Sequence, residues 1–357
     1  MSDIKSVLTS IKNKFDETTG RNIYLLFACN TTGKTRLSRL FEERFENGVL
    51  CYNAFMEDLF HWDNENTALL FDRNSWLAEL IKTEGLEIRI IDNFKKLTTS
   101  KIEPLFDLDA GTVVFRNYSV NGEDIENIKV SRGEESLFIW SIFYTILAVA
   151  IETLRETPDD RSTHFFDNIK YIVIDDPVSS MDDTRIITMS LDLIELLKSI
   201  PEQQELKILI TTHHYLFYNV MYHRKRSNWN QYNAILVKEE GGELFIKSQS
   251  GDSPLPYHIV VLEEIKNAIS GNRVQKYHFN LFRALLEKTA NFLGYTGAWS
   301  NLLEESDSKD KLTKLLNLYS HSSLAEIESK EISPEELALF QGAFSTFITH
   351  FHWNLAL

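Results

Sequence analysis

A chain of 357 residues, 43% hydrophobic and 25% charged, can bury a sizeable core and is expected to form one large domain with an appendage, or two domains. Its formal net charge of -15 excludes an indiscriminate polyanion binder, so any nucleic acid has to be met by a local basic patch or by shape. Two cysteines, Cys29 and Cys51, exclude a disulfide framework and suit a reducing cytosol, so a cytoplasmic protein is expected.

Residues 1–20 set Ile4, Leu8, Ile11 and Phe15 at helical spacing and do not read as a secretory leader. Asn22 to Ser38, NIYLLFACNTTGKTRLS, then turns an apolar strand into a helix through Thr32-Gly33-Lys34-Thr35. A phosphate cradle needs inward backbone N–H groups, a Gly at closest approach, a Lys for the phosphates and a hydroxyl for Mg²⁺. Gly33, Lys34 and Thr35 supply the last three, with Asn30 and Thr32 completing the nucleotide-binding loop. The motif is degenerate, because Ala28 stands where its first glycine belongs and Thr31 where related loops often keep Gly.

Gly48 onward reads as a second strand and an aromatic-rich loop, in which Asn53 or Asp58 would have to stand in for a phosphate-sensing Gln. From Glu87 to Val130 the pattern becomes short alternating strands, with TVVFRNYSVNGEDIENIKV as a hairpin around Asn121-Gly122, an antiparallel β-subdomain. Ser131, Gly133 and Glu134 of VSRGEESLFIW precede a long apolar helix, where they would crown its positive end as an anion site. A plain capping box of Ser131 and Glu134 is the simpler alternative. The apolar run Leu137 to Ile151 is too short to span a bilayer, so no membrane partner is expected.

Tyr171 to Asp183, YIVIDDPVSSMDD, is a β-branched run ending in two carboxylates. It reads as a buried parallel strand with Asp175 and Asp176 at its carboxyl end, where open α/β sheets place ligands. Mg²⁺ with a nucleotide phosphate is the simplest partner, Asp175 and Thr35 holding the metal and Asp176 orienting or activating a water. A surface turn is the alternative in a chain with 52 Asp and Glu. Ser179-Ser180-Met181-Asp182 fits a loop that crosses a dimer seam, with Asp182 toward the nucleotide. Leu206 to Thr212 is another buried strand and delivers His213-His214; a strand-end histidine is more often a structural group, and it is the order of the preceding elements that makes His213 a γ-phosphate switch.

In this order the elements resemble ATP-binding-cassette heads. The expected fold is therefore an α/β ABC-type P-loop NTPase head with an antiparallel β-subdomain over residues 1–250, followed by a mostly helical domain over 251–357. Because the Ser131 element of such heads reaches a nucleotide held by another subunit, a homodimer or larger even oligomer is expected. The stretch between Lys34 and Ser131 is too short for a coiled-coil arm.

In the last third, YHFNLFRALLEKTANFLGY sets Arg283 and Glu287 four apart on one helical face, and LNLYSHSSL brings His321 after a second helix. An ion pair on the surface plus a loop histidine would look the same. Yet Arg, Glu and His are what metal-free RNA cleavage needs: a proton carrier near neutral pH, a cation for the phosphorane and an acid to set them.

Over nearly its whole length the chain resembles the PrrC anticodon nucleases, through GKTRLSR, YNAFMEDLFHWDN, IDDPVSSMDD, ITTHH, SGDSP, YHFNLFRALLEKTANFLGY and SHSSL. The resemblance implies cleavage of lysine tRNA 5′ to the wobble base, leaving 2′,3′-cyclic phosphate and 5′-hydroxyl ends, with no metal in the nuclease site. It also implies the triad Arg283, Glu287 and His321, and an anticodon-reading acid at Asp252. The same resemblance implies GTP or ATP with Mg²⁺ in the cassette, dTTP as a stabilising ligand, and silencing by a type I restriction-modification complex. For tRNA the dense basic cluster is His223-Arg224-Lys225-Arg226. Two other readings stay open: a regulatory ABC-type ATPase whose C-terminal helices only bind a partner, and a ribonuclease for a different RNA.

Overall fold

The computed structural model describes the chain except residues 1–2, 18, 20–21, 31, 46–47, 54–55, 57, 99–100, 118–126, 179–180, 202–203, 224–229, 239–242, 251–256, 296–298, 304–308, 322–331 and 354–357. At 238, 257, 259–260 and 320–321 it describes the backbone alone. Asp252, Thr31, Ser179, Ser180, the Asn121-Gly122 turn and the basic cluster from Arg224 to Arg226 thus lie outside the described residues. The chain divides into two compact units, Met1–Pro254 and Leu255–Leu357.

The first unit runs α1 (Ile4–Asp16), β1 (Asn22–Ala28), α2 (Lys34–Arg44), β2 (Val49–Tyr52), β3 (Phe60–Asp63), β4 (Ala68–Phe71), α3 (Trp76–Glu84), α4 (Glu87–Leu97), β5 (Ile102–Asp107) and β6 (Thr112–Asn117). It continues with α5 (Arg132–Thr153), β7 (Tyr171–Asp175), α6 (Asp183–Lys198), β8 (Lys207–Thr212), α7 (Tyr215–His223), β9 (Asn230–Lys238) and β10 (Leu244–Ser248). The large sheet has the order β10-β9-β1-β8-β7-β2, parallel except for β10 at its edge. Every residue of β1 is buried, as a strand covered on both faces requires. One face carries Ile4, Val7, Ile11 and Phe15 of α1 and Leu37 and Phe41 of α2 against Tyr24, Leu26, Val173 and Leu209.

A second, antiparallel sheet has the order β3-β4-β6-β5. Helix α5 is the spine that serves both sheets. Its Trp140 and Phe143 rings lie 5.1 Å from Tyr52 at the end of β2, and its Phe138 ring lies 5.3 Å from Phe115 of β6. At 22 residues it is long and apolar enough to cross a membrane by composition, and 83% of its apolar window is buried inside the fold.

One expected strand is corrected by the structure. Glu87–Leu97 is a helix, not a strand: Ile90, Phe94 and Leu97 recur at helical spacing and are buried, and Gly85, at a φ of 61°, closes the helix before it. Asn93 then donates to the Thr145 hydroxyl at 2.9 Å, a buried tie from α4 to α5. β6 pairs with the preceding β5 through a turn at Gly111, whose φ is 71°. A Cβ at Gly111 would stand 2.6 Å from the Phe71 carbonyl oxygen, so glycine is required there. After β6 the chain does return, since the Ile128 N–H donates to the Phe115 carbonyl at 3.0 Å.

The second unit is helical: α8 (Tyr257–Ser270), α9 (Lys276–Phe292), a 3-10 turn (Trp299–Leu302), α10 (Lys309–His321) and α11 (Pro334–His350). Helix α11 starts on a capping box between Ser333 and Glu336 with Pro334 at its first position. Phe282 sits at the centre of the core, its ring between 5.6 and 5.7 Å from those of Phe340, Phe344 and Phe347. Phe282→Ala should therefore cost about 3–5 kcal/mol, the scale for emptying a buried aromatic site. Urea unfolding of the full chain checks this, and a midpoint like that of the wild type would contradict this packing.

Candidate functional site

Because β1, β8 and β7 are parallel neighbours, their carboxyl ends deliver three segments to one edge of the sheet. After β1, Gly33 takes a left-handed φ of 99° and caps α2, so the loop N–H groups and the helix N-terminus share one hollow. Lys34 is 7% exposed, and its Nζ donates to the Ala28 carbonyl (3.1 Å), the Cys29 carbonyl (3.3 Å) and Asn30 Oδ1 (3.2 Å). The Thr32 hydroxyl donates to the Cys29 carbonyl at 2.7 Å, tightening the same turn.

The two acids after β7 have different partners. Asp175, 3% exposed, accepts from the Thr211 hydroxyl of β8 and is hydrogen-bonded by Thr35 of α2. Burial pushes its carboxyl above the usual value, with the Asp176 charge adding to the rise, while the bonds from Thr211 and Thr35 and the charge of Lys34 offset it only in part. Asp176 has a left-handed backbone, φ 56°, which an Asp tolerates, and its N–H donates to the Thr211 carbonyl at 2.9 Å. Both its oxygens lie against His213 Nδ1, at 2.6 and 2.5 Å, and one also accepts the His213 backbone N–H at 3.0 Å. Lys34 Nζ stands 3.4 Å from the other. Burial alone would raise the Asp176 carboxyl, but the His213 hydrogen bond and the Lys34 charge outweigh it and hold the group below its ordinary range.

Thus Asn30, Gly33, Lys34, Thr35, Asp175, Asp176 and His213 converge. Ser131 and Asp182 make local bonds instead. Ser131 caps α5, its hydroxyl and N–H donating to Glu134 at 2.8 and 2.9 Å, and Gly133 lies in that first turn. Asp182 caps α6 by accepting the Arg185 N–H at 3.0 Å. Thr211 is not marked out by the sequence, although it is the penultimate residue of a buried strand; only the pairing of β7 with β8 sets its hydroxyl on Asp175.

The residues fit a magnesium nucleotide. A buried carboxylate whose charge is disfavoured, beside a threonine hydroxyl, suits a hard cation that completes its shell with phosphate and water. No cluster of three His, Cys, Asp or Glu that could hold a metal ion occurs among the described residues. Asp175→Asn tests the cost of that design. The amide removes a charge the fold disfavours and keeps an acceptor for Thr211, so the nucleotide-free variant should melt at or above wild type, by roughly 2–4 °C for about 1 kcal/mol. The gain should vanish toward acid pH: with a raised native value Asp175 is destabilising while ionised, and that penalty falls away as pH drops below the native value and the group protonates. A lower melting temperature at neutral pH would contradict this.

In the helical unit, Arg283 Nη2 meets Glu287 Oε1 at 2.8 Å, with Arg283 mostly buried and Glu287 half open to solvent. The Arg283 guanidinium also stands 5.8 Å from the centre of the Trp299 ring, so the pair is held from two sides. Trp299 is a positioning contact that spacing alone does not reveal. His321 is the last residue of α10, not a loop residue. Its side chain and Asp252 lie outside the described residues.

No family model matches the chain. It is 39% identical over 350 residues to an anticodon nuclease of Escherichia coli, covering 88% of this chain and 86% of that protein. The chain belongs to the anticodon nuclease family. Among solved structures, a Pyrococcus furiosus Smc head domain with an extended coiled coil matches 52% of this chain and 39% of its own, at 15% identity and a TM-score of 0.30. An ATP-binding cassette of an ABC transporter in its ADP conformation matches 64% of this chain and 80% of its own, at 10% identity and a TM-score of 0.29. At such scores the character of the head rests on the strand order and the loop geometry above. The head is an α/β domain with a six-stranded mixed sheet and a four-stranded antiparallel one, and despite Ala28 its first loop brings Lys34 and Thr35 beside Asp176 and Asp175.

Proposed function

We propose that the chain is a nucleotide-switched anticodon nuclease that cuts tRNA by metal-free attack of a 2′-hydroxyl. The observation that carries this reading is the Arg283–Glu287 pair, held on Trp299 in a chain 39% identical to an anticodon nuclease. Arg283 offers the planar cation that an anionic phosphorane needs. His321 takes or gives the proton at the attacking or leaving oxygen, and Glu287 orients Arg283 and shares the proton work. In-line attack by the 2′-hydroxyl leaves a 2′,3′-cyclic phosphate and a 5′-hydroxyl. The substrate is lysine tRNA, cut 5′ to the wobble base, with Asp252 reading the anticodon.

The head is the switch. Lys34, Thr35 and Asp175 hold GTP or ATP with Mg²⁺, which neutralises the phosphates as charge develops on them. Asp176 keeps His213 in one orientation at the phosphate edge, supported by its two short contacts to Nδ1. Ser131, Gly133, Glu134 and Asp182 complete the nucleotide site of a second copy in a homodimer or larger even oligomer, for which Ser131 exchanges its bond to Glu134 for phosphate. We place dTTP as a ligand that stabilises the active form, and a type I restriction-modification complex as the silencing partner.

The test is sequencing of RNA ends after expression in cells, wild type beside His321→Ala. Wild type should accumulate ends at one tRNA anticodon, carrying cyclic phosphate, and His321→Ala should not. Ends at another RNA keep the ribonuclease and replace its substrate. No new ends in the wild type would favour a regulatory ATPase whose helices bind a partner.

A further inference from the structure

A cavity of about 630 Å³ opens within the helical unit, between the end of α9, the 3-10 turn, α10 and α11. Along α11 its lining follows helical spacing through Ala338, Gly342, Thr346 and His350, while Phe340, Phe344 and Phe347 anchor the helix in the core. Gly342 lies in the middle of the helix, where glycine is among the least favourable residues. Neither strain nor packing requires it, since a Cβ added there meets nothing within 4 Å. Gly342 is exposed and lines the cavity, so the missing side chain leaves that side of it open.

The opposite wall is the 3-10 turn. Its Trp299 carries the Arg283 guanidinium, and its Asn301 lines the cavity, so the cavity adjoins the Arg283–Glu287 pair through one short turn. The lining includes the aromatic residues Tyr295 and Phe351 together with Asn301 and Thr346. Aromatic rings accompanied by an amide and a hydroxyl match an unpaired nucleobase, which proteins stack on aromatic rings and hydrogen-bond along its edge. A bare anion matches less well, because Lys309 in the lining is accompanied by Glu335.

We propose that this cavity seats one unpaired base of the RNA loop beside the cleaved linkage, with Gly342 as the residue that makes room for it. The proposal rests on the ribonuclease reading of the helical unit. The base is drawn out of the loop, and its seating presents the neighbouring phosphate to Arg283.

The test uses the full chain, a labelled anticodon stem-loop and Gly342→Leu, which places a branched side chain in the cavity and leaves the Arg283–Glu287 pair unaltered. Its melting temperature should equal or exceed that of the wild type. KM for the stem-loop should rise about tenfold, the scale of losing one stacked base, with kcat changed far less. An abasic residue moved through the loop should cost wild type about the same factor at one position and cost Gly342→Leu almost nothing further there. A well-folded Gly342→Leu protein with unchanged KM, or equal abasic penalties in both proteins, overturns the cavity assignment while leaving the nuclease in place. A wild-type protein that binds and cuts no RNA overturns both.

Discussion

Lys34→Ala is expected to lower nucleotide hydrolysis by about 100-fold or more and to remove RNA cleavage with it. Lys34 Nζ is the centre on which the phosphate loop closes: two loop carbonyls, the Asn30 amide oxygen and Asp176 all face it within 3.4 Å. On the proposed reading a nucleotide phosphate would exchange those contacts for its own, and the ammonium would supply a cation to the developing charge. The alanine leaves Asp176 with His213 but without its neighbouring cation, in a site that burial makes costly for a carboxylate. Loss of fold is the competing explanation, and a melting curve with circular dichroism separates the two. Hydrolysis within about tenfold of wild type by a folded Lys34→Ala protein would mean that this loop is not the hydrolytic site.

Arg283→Ala should produce the opposite split, lowering RNA cleavage by about 100-fold or more and leaving nucleotide hydrolysis near its wild-type rate. On the proposed reading the guanidinium would be wanted only as charge builds on the phosphorane, and its contacts with Glu287 and the Trp299 ring lie within the helical unit. Arg283→Lys is the informative companion, since it keeps the charge and loses the planar fork of donors, so cleavage should return only in part. Glu287→Ala and His321→Ala should behave like Arg283→Ala. Asp252→Ala should instead change which tRNA is preferred, as a group that reads a base sets specificity. If Arg283→Ala still cuts at the wild-type rate, the pair is a structural one.

The head is legible in the sequence where burial and chemistry point the same way. Ile172-Val173-Ile174 and Ile208-Leu209-Ile210 are apolar on both faces, which fits central parallel strands, and the loops at their carboxyl ends fall at one sheet edge. Glu87–Leu97 reads as a strand because its neighbours do alternate, and only Ile90, Phe94 and Leu97 together reveal the helical period. Pairings that depend on register are beyond reach. Nothing in a string of residues says that Thr211 bonds Asp175, or that Asp176 spends both oxygens on His213. In the helical unit the four-residue spacing of Arg283 and Glu287 announces their contact, whereas Trp299 arrives from a separate turn and Gly342 looks like any helix glycine until its surroundings are known.

That a nucleotide cycle in the head governs RNA cutting by the helical unit is the central claim. Cleavage of a labelled anticodon stem-loop by the purified full chain, with and without hydrolysable GTP or ATP and Mg²⁺, tests it most directly when Lys34→Ala is run in parallel. Wild type should cut only with nucleotide, its products should end in cyclic phosphate, and Lys34→Ala should not cut under either condition. Cutting at equal rates with and without nucleotide, or by a Lys34→Ala protein that no longer hydrolyses it, would contradict the claim.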